Sequence, residues 1–145
     1  MFVFLDIDGV LNSSKDWKKL YSLNDECLLH FANFMKRIPR GQIILTSSWK
    51  TGFLSTRAAE NSPQIQLLEQ KLAEYGLTIK DKCPTLKGRT RDKEIERYLY
   101  FHPEPYCIVD DDKNEFTKVL PHTYFVDAKT GFSKKDIGGA LRCLS

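Results

Sequence analysis

Apolar residues along this chain arrive either in short unbroken runs or in longer stretches where they recur every three or four positions. Phe2 to Leu5, Gln42 to Leu45 and Tyr106 to Val109 are runs of the first kind, without the alternation of a half-exposed strand. Each predicts a strand covered on both faces, as in a parallel sheet. The second kind predicts helices. In "NDECLLHFANFMKRI", Cys27, Phe31, Phe34 and Ile38 share a helical face, Asn24 stands at the N-cap and two acids fill the first turn. Ser62 and Pro63 open a second helix with Ile65, Leu68, Leu72 and Tyr75 on its stripe, and Gly76 ends it. A third runs from near Asp92 to Phe101 around Ile95, Tyr98 and Leu99. Ser133 caps a closing helix that turns Ile137, Leu141 and Leu144 inward. Short strands are expected at Leu77 to Ile79 and at Thr123 to Val126.

Strands alternating with helices imply parallel βαβ units. The expected fold is α/β, a Rossmann-like three-layer domain built on a mainly parallel five-stranded sheet. The 145 residues are expected to form a single domain, 1–145, with room for one continuous core. Right-handed crossovers put the C-terminal end of every parallel strand on one edge of the sheet.

Composition adds little to that picture. A formal charge of +3, with 41% hydrophobic and 28% charged residues, is ordinary for a globular protein and does not demand a polyanionic partner. Lysines and arginines gather in "KDWKK" (15–19) and "KGRTRDK" (87–93), which read first as solvated faces. Cys27, Cys83, Cys107 and Cys143 form no C-x-x-C pair, and a reducing, cytoplasmic setting is expected. The first apolar run is broken by Asp6 and lacks a basic lead, so neither a signal peptide nor a membrane partner is expected. His30, His102 and His122 have no zinc-site spacing.

The polar residues that follow the buried runs carry the candidate chemistry. Asp6 and Asp8 with Gly9, then Thr46 and Ser47, then Asp110, Asp111 and Asp112, should meet in one crevice at the carboxyl edge, where open α/β sheets bind ligands. Acids gathered there would repel one another unless a hard divalent cation, Mg²⁺ above all, neutralised them. On a phosphate ester, Asp6 has the chemistry of a nucleophile and Asp8 that of a general acid and base. Gly9 allows a sharp turn close to phosphoryl oxygens. Thr46 supplies a hydroxyl, and Lys93 or Arg91 the balancing cation. Trp17 and Trp49 are candidates to flank the crevice and stack on a substrate base, with core or edge packing as the alternative.

"FLDIDGVLN", "IILTSS", a cation ahead of a helix and "CIVDDD", in that order, resemble the haloacid dehalogenase-like (HAD) superfamily of phosphohydrolases. The resemblance implies Asp6 as nucleophile and metal ligand, and Asp8 as acid/base whose backbone carbonyl also binds Mg²⁺. It implies Thr46, or Ser47, as the phosphate-binding hydroxyl, and Lys93, Arg91 or Arg89 as the third-motif cation. Asp110 would bind metal, and Asp111 would support the metal waters or the basic residue. Neither Asn12 to Gly41 nor Thr51 to Lys87 is long enough for the usual inserted cap, so a capless member is expected, with an open site suited to a large phosphorylated substrate such as a protein or a nucleic-acid end. "LDIDGVLN", "LTSSW", R-x-x-E-I across Arg91 to Ile95, "IVDDD" and "VDAKTGFS" are further similar to the HAD domains of the Swiss Army Knife RNA repair group. The expected activity is Mg²⁺-dependent phosphomonoester hydrolysis through an aspartyl-phosphate. The alternative is a non-catalytic phosphate-binding or signalling module of the same fold. A signalling receiver would carry its acceptor acid on the third strand, whereas here the candidate lies on the first.

Overall fold

The computed structural model describes residues 1–19 and 22–144. Five strands, β1 (Phe2–Leu5), β2 (Gln42–Leu45), β3 (Ile79–Lys82), β4 (Tyr106–Asp110) and β5 (Thr123–Phe125), form one sheet in the order β3-β2-β1-β4-β5. Every pairing is parallel. Four helices accompany it: α1 (Asp25–Met35), α2 (Pro63–Ala73), α3 (Arg91–Phe101) and α4 (Lys134–Arg142). Among the described residues no separate cap domain is evident, and no helix is long and apolar enough to cross a membrane.

Past Gln42 and Tyr106, which start β2 and β4 exposed and half-buried, the runs are buried on both faces, as their lack of alternation requires. Val3, Leu5, Ile43, Leu45, Cys107 and Val109 pack on one side with Phe31 and Phe34 of α1, Leu68 of α2 and Ala140 of α4. Phe4, Ile44 and Ile108 point to the other side, against Ile95 and Tyr98 of α3 and the loop residues Phe116 and Leu120. Two layers of helices thus enclose the sheet. Burying a side chain such as Phe4 completely contributes roughly 1.5–3 kcal/mol.

The starts of α1 and α2 match their capping chemistry. Asn24 Oδ1 accepts from the Glu26 and Cys27 amides, and Ser62 Oγ accepts from the Ile65 amide behind Pro63. The third strand begins later than Leu77. Gly76, at φ 75°, and Leu77 close α2 by returning their amides to the Ala73 and Leu72 carbonyls, so Leu77 belongs to a helix stop. β3 then runs through Lys80, Asp81 and Lys82, whose charge suits an edge strand.

Candidate active site

Backbone pairing continues one residue past the strands and sets the height of each polar side chain. The Asp6 amide donates to the Val109 carbonyl at 3.1 Å, the Thr46 amide to Leu5 at 3.0 Å and the Val126 amide to Asp110 at 2.7 Å. Asp6, Thr46 and Asp110 therefore stand on the same sheet edge. Ile7 is fully buried, and the Val10 and Leu11 amides both return to its carbonyl, which turns the chain through Asp8 and Gly9. Gly9 adopts φ 84°, and a Cβ there would stand 2.2 Å from Asp111 Oδ2. The turn needs glycine because the carboxylate of Asp111 occupies the space beside it.

Asp6, Asp110 and Asp111 each present an oxygen within 4.8 Å of the others. Asp110 is wholly buried; its Oδ1 accepts from the Asp111 and Asp112 amides at 2.8 and 2.9 Å. Its Oδ2 accepts from Arg91 Nη1 at 2.8 Å, and the same nitrogen lies 3.5 Å from Asp6 Oδ1. Burial, followed by the charge of Asp110, pushes the Asp6 carboxyl well above the usual carboxylate range despite Arg91. Burial raises Asp110 as well, against the pull of Arg91. Burial also works against the Arg91 charge, but Asp6 and Asp110 outweigh it and hold its proton more firmly than usual. One guanidinium cannot balance three ionised carboxylates. A hard divalent cation with oxygen ligands can, so the donor set and its electrostatic frustration fit Mg²⁺ at Asp6, Asp110 and Asp111.

Of the hydroxyl candidates, Ser47 is committed to the turn, where its Oγ accepts from the Trp49 amide at 3.1 Å. Thr46 is 1% exposed, and its Oγ1 has no hydrogen-bond partner among the described residues. A buried orphan of this kind calls for a ligand atom. Of the three cation candidates, the structure brings Arg91 to the acids. Lys93 lies two positions further along α3, about 200° around the helix, and its ammonium pairs with Glu96 at 3.5 Å. Lys93 and Arg89 line instead a shallow depression of about 330 Å³ with Glu96 and Tyr100. Asp8 does not belong to that cluster of three: its Oδ1 accepts from Asn12 Nδ2 at 2.9 Å and its Oδ2 from Trp49 Nε1 at 3.1 Å.

Several residues outside the candidate set build the site, two of them inside quoted motifs: Asn12 closes "LDIDGVLN" and Glu94 is the acid of R-x-x-E-I. Asn12 holds Asp8 and, through its Oδ1, accepts from the Gly9 amide and from Trp17 Nε1 at 2.8 and 2.9 Å. Lys50 and Glu94, both buried, form an ion pair of 2.6 Å that ties the turn after β2 to the first turn of α3. Glu94 Oε2 also accepts from the Leu86 amide at 2.8 Å. Asp92 accepts from Thr90 Oγ1, from the Thr117 amide at 3.1 Å and from Thr117 Oγ1 at 2.5 Å. The turn of helix that bears Arg91 is thus fastened on three sides. The signal that could have singled out Lys50 is weak: a lysine five residues beyond a buried strand, with its glutamate far along the chain.

A parallel sheet flanked by helices, with acids from two neighbouring strands gathered on one arginine at its carboxyl edge, defines an α/β protein of the ligand-at-strand-ends class. Within that class, the family described as the HAD domain in Swiss Army Knife RNA repair proteins matches residues 2–137, and the chain belongs to that family. Membership implies phosphohydrolase chemistry, with the acidic cluster as the plausible active site. No match to the chain was found among curated proteins.

Proposed function

We propose that the protein is a Mg²⁺-dependent phosphomonoesterase that works through a phosphorylated Asp6. The observation that carries this reading is the convergence of Asp6, Asp110 and Asp111 within 4.8 Å, with Arg91 on two of them. Asp6, Asp110 and Asp111 would hold the metal, joined by the backbone carbonyl of Asp8. When bound, Mg²⁺ neutralises the acids and lets an anionic phosphate approach them.

An Asp6 carboxylate oxygen attacks phosphorus while the ester oxygen leaves with a proton from Asp8. Asp8 then takes a proton from the water that attacks the phosphoryl group, releasing inorganic phosphate and restoring Asp6. Asn12 and Trp49 each donate to one oxygen of Asp8 and so fix its carboxylate. Thr46 Oγ1, otherwise unpartnered, donates to a phosphoryl oxygen, and Arg91 holds Asp6 against Asp110. The substrate we infer is a phosphorylated nucleic-acid end, a reading supported by the family's RNA repair context and by the lack of an evident cap domain.

The test is hydrolysis of a generic aryl phosphate with and without Mg²⁺, in the wild type and in Asp6→Asn. Turnover should need the metal and vanish in the variant while its fold persists. Residual turnover in Asp6→Asn would refute the nucleophile, and an inert wild type would favour the non-catalytic alternative.

A further inference from the structure

The two tryptophans near Asp8 are built for different work. Trp49 is 3% exposed and spends its indole N–H on Asp8, so its faces belong to the core. Trp17 is 50% exposed, yet it is not loose: its Nε1 donates to Asn12 Oδ1, the amide whose Nδ2 donates to Asp8. A single amide group therefore separates the edge of an exposed indole from the carboxylate that handles protons. Lys15, Lys18 and Lys19 flank it and are all exposed.

An aromatic face held at a fixed distance from a phosphate site, among cations, is the combination that receives a base while its backbone is neutralised. We infer that Trp17 is a specificity-determining residue that stacks the terminal, unpaired base of a single-stranded nucleic acid whose end phosphate enters the site, with Lys15, Lys18 and Lys19 along the adjoining backbone. This rests on the phosphatase reading for the identity of the phosphate site. An aromatic side chain such as that of a phosphotyrosine peptide also has a flat face, but a peptide has no repeating negative charge for three lysines to meet. Anchoring by the indole N–H removes rotational freedom before the substrate arrives, so less ordering is needed on binding.

Binding is read by the anisotropy of a dye at the far end of each strand, with Ca²⁺ in place of Mg²⁺ so that the acids are neutralised while turnover is suppressed. The probes are short single-stranded oligonucleotides with a 3′ or a 5′ phosphate, and the same strands with an abasic terminal nucleotide. The wild type should bind a base-bearing end about tenfold more tightly than its abasic counterpart. Trp17→Ala should erase that preference, and Trp17→Phe, which keeps a ring without the N–H, should keep it within about threefold. Replacing Lys15, Lys18 and Lys19 by Gln should lower the salt-dependence slope by about two, the share of three phosphate contacts on a single strand.

Absence of any base preference, a Trp17→Phe protein as weak as Trp17→Ala, or a phosphotyrosine peptide that binds as tightly as the oligonucleotide would each overturn the inference. The two readings fail separately. A protein that hydrolyses the aryl phosphate but shows no base preference retains the phosphatase and loses the platform. One that shows the Trp17-dependent preference without turnover does the reverse.

Discussion

Arg91, the first residue of α3, and Asp110, the last residue of β4, meet in a buried ion pair of 2.8 Å that also brings the guanidinium within 3.5 Å of Asp6. The helix thereby supplies the positive charge that two neighbouring strand ends lack. Removing one partner of a buried pair exposes the other to its full desolvation cost. Arg91→Gln should therefore lower stability by about 3–5 kcal/mol in metal-free buffer. Added Mg²⁺ should recover part of that loss by supplying positive charge to the same acids. Urea melts with and without the metal check both; a variant as stable as the wild type without metal would contradict the pairing.

Gly9→Ala places a methyl group where Asp111 Oδ2 now sits, in a backbone conformation that alanine resists. A loss of roughly 1–3 kcal/mol is expected from the φ strain and the clash together. Because Asp111 must withdraw, metal affinity should fall as well. Isothermal titration with Mg²⁺ alongside thermal melts separates the two effects.

Lys50→Met strands Glu94 in a buried position and should cost about 3–5 kcal/mol. The double replacement, Lys50→Met with Glu94→Leu, removes both charges and should recover much of that loss. A double-mutant cycle from urea unfolding checks the expectation; additive losses would mean that the pair is not coupled in solution.

Burial alone would raise the Asp92 carboxyl, but hydrogen bonds from Thr117 and Thr90 outweigh it and bring its pKa down to about 2. A folded-state pKa below the unfolded one means that ionised Asp92 stabilises the fold above the unfolded value near 4. That contribution fades as pH falls towards about 2. At neutral pH it amounts to about 2 kcal/mol. Asp92→Asn should therefore melt lower than the wild type at pH 7, and the gap should narrow between about pH 4 and pH 2. Thermal melts across that range provide the measurement.

The strands could be read because their apolar runs are continuous, and Asp6, Thr46 and Asp110 because each directly follows such a run. Leu77 was misleading: an apolar residue after a glycine resembles a strand start as closely as it does a helix stop, and only the returning amide separates the two. The choice among Arg89, Arg91 and Lys93 depends on a rotation of the helix relative to the sheet, which the local pattern leaves open. Trp17 and Trp49 look alike in the chain, yet Trp17, beyond the turn after β1, is half exposed, while Trp49, in the turn after β2, packs into the core. Lys50 with Glu94 and Asp92 with Thr117 are pairings across 44 and 25 positions, and no local periodicity announces a partner so distant.

β1 is the middle strand of five, and its immediate neighbours are the two strands that deliver Thr46 and Asp110. Fraying should begin at β3 or β5, the outermost ribbons, neither of which supplies a carboxylate to the cluster. Amide exchange at Asp6 and Thr46 should accordingly demand the whole molecule's opening, so a chain worn at its margins would still hold its three acids together.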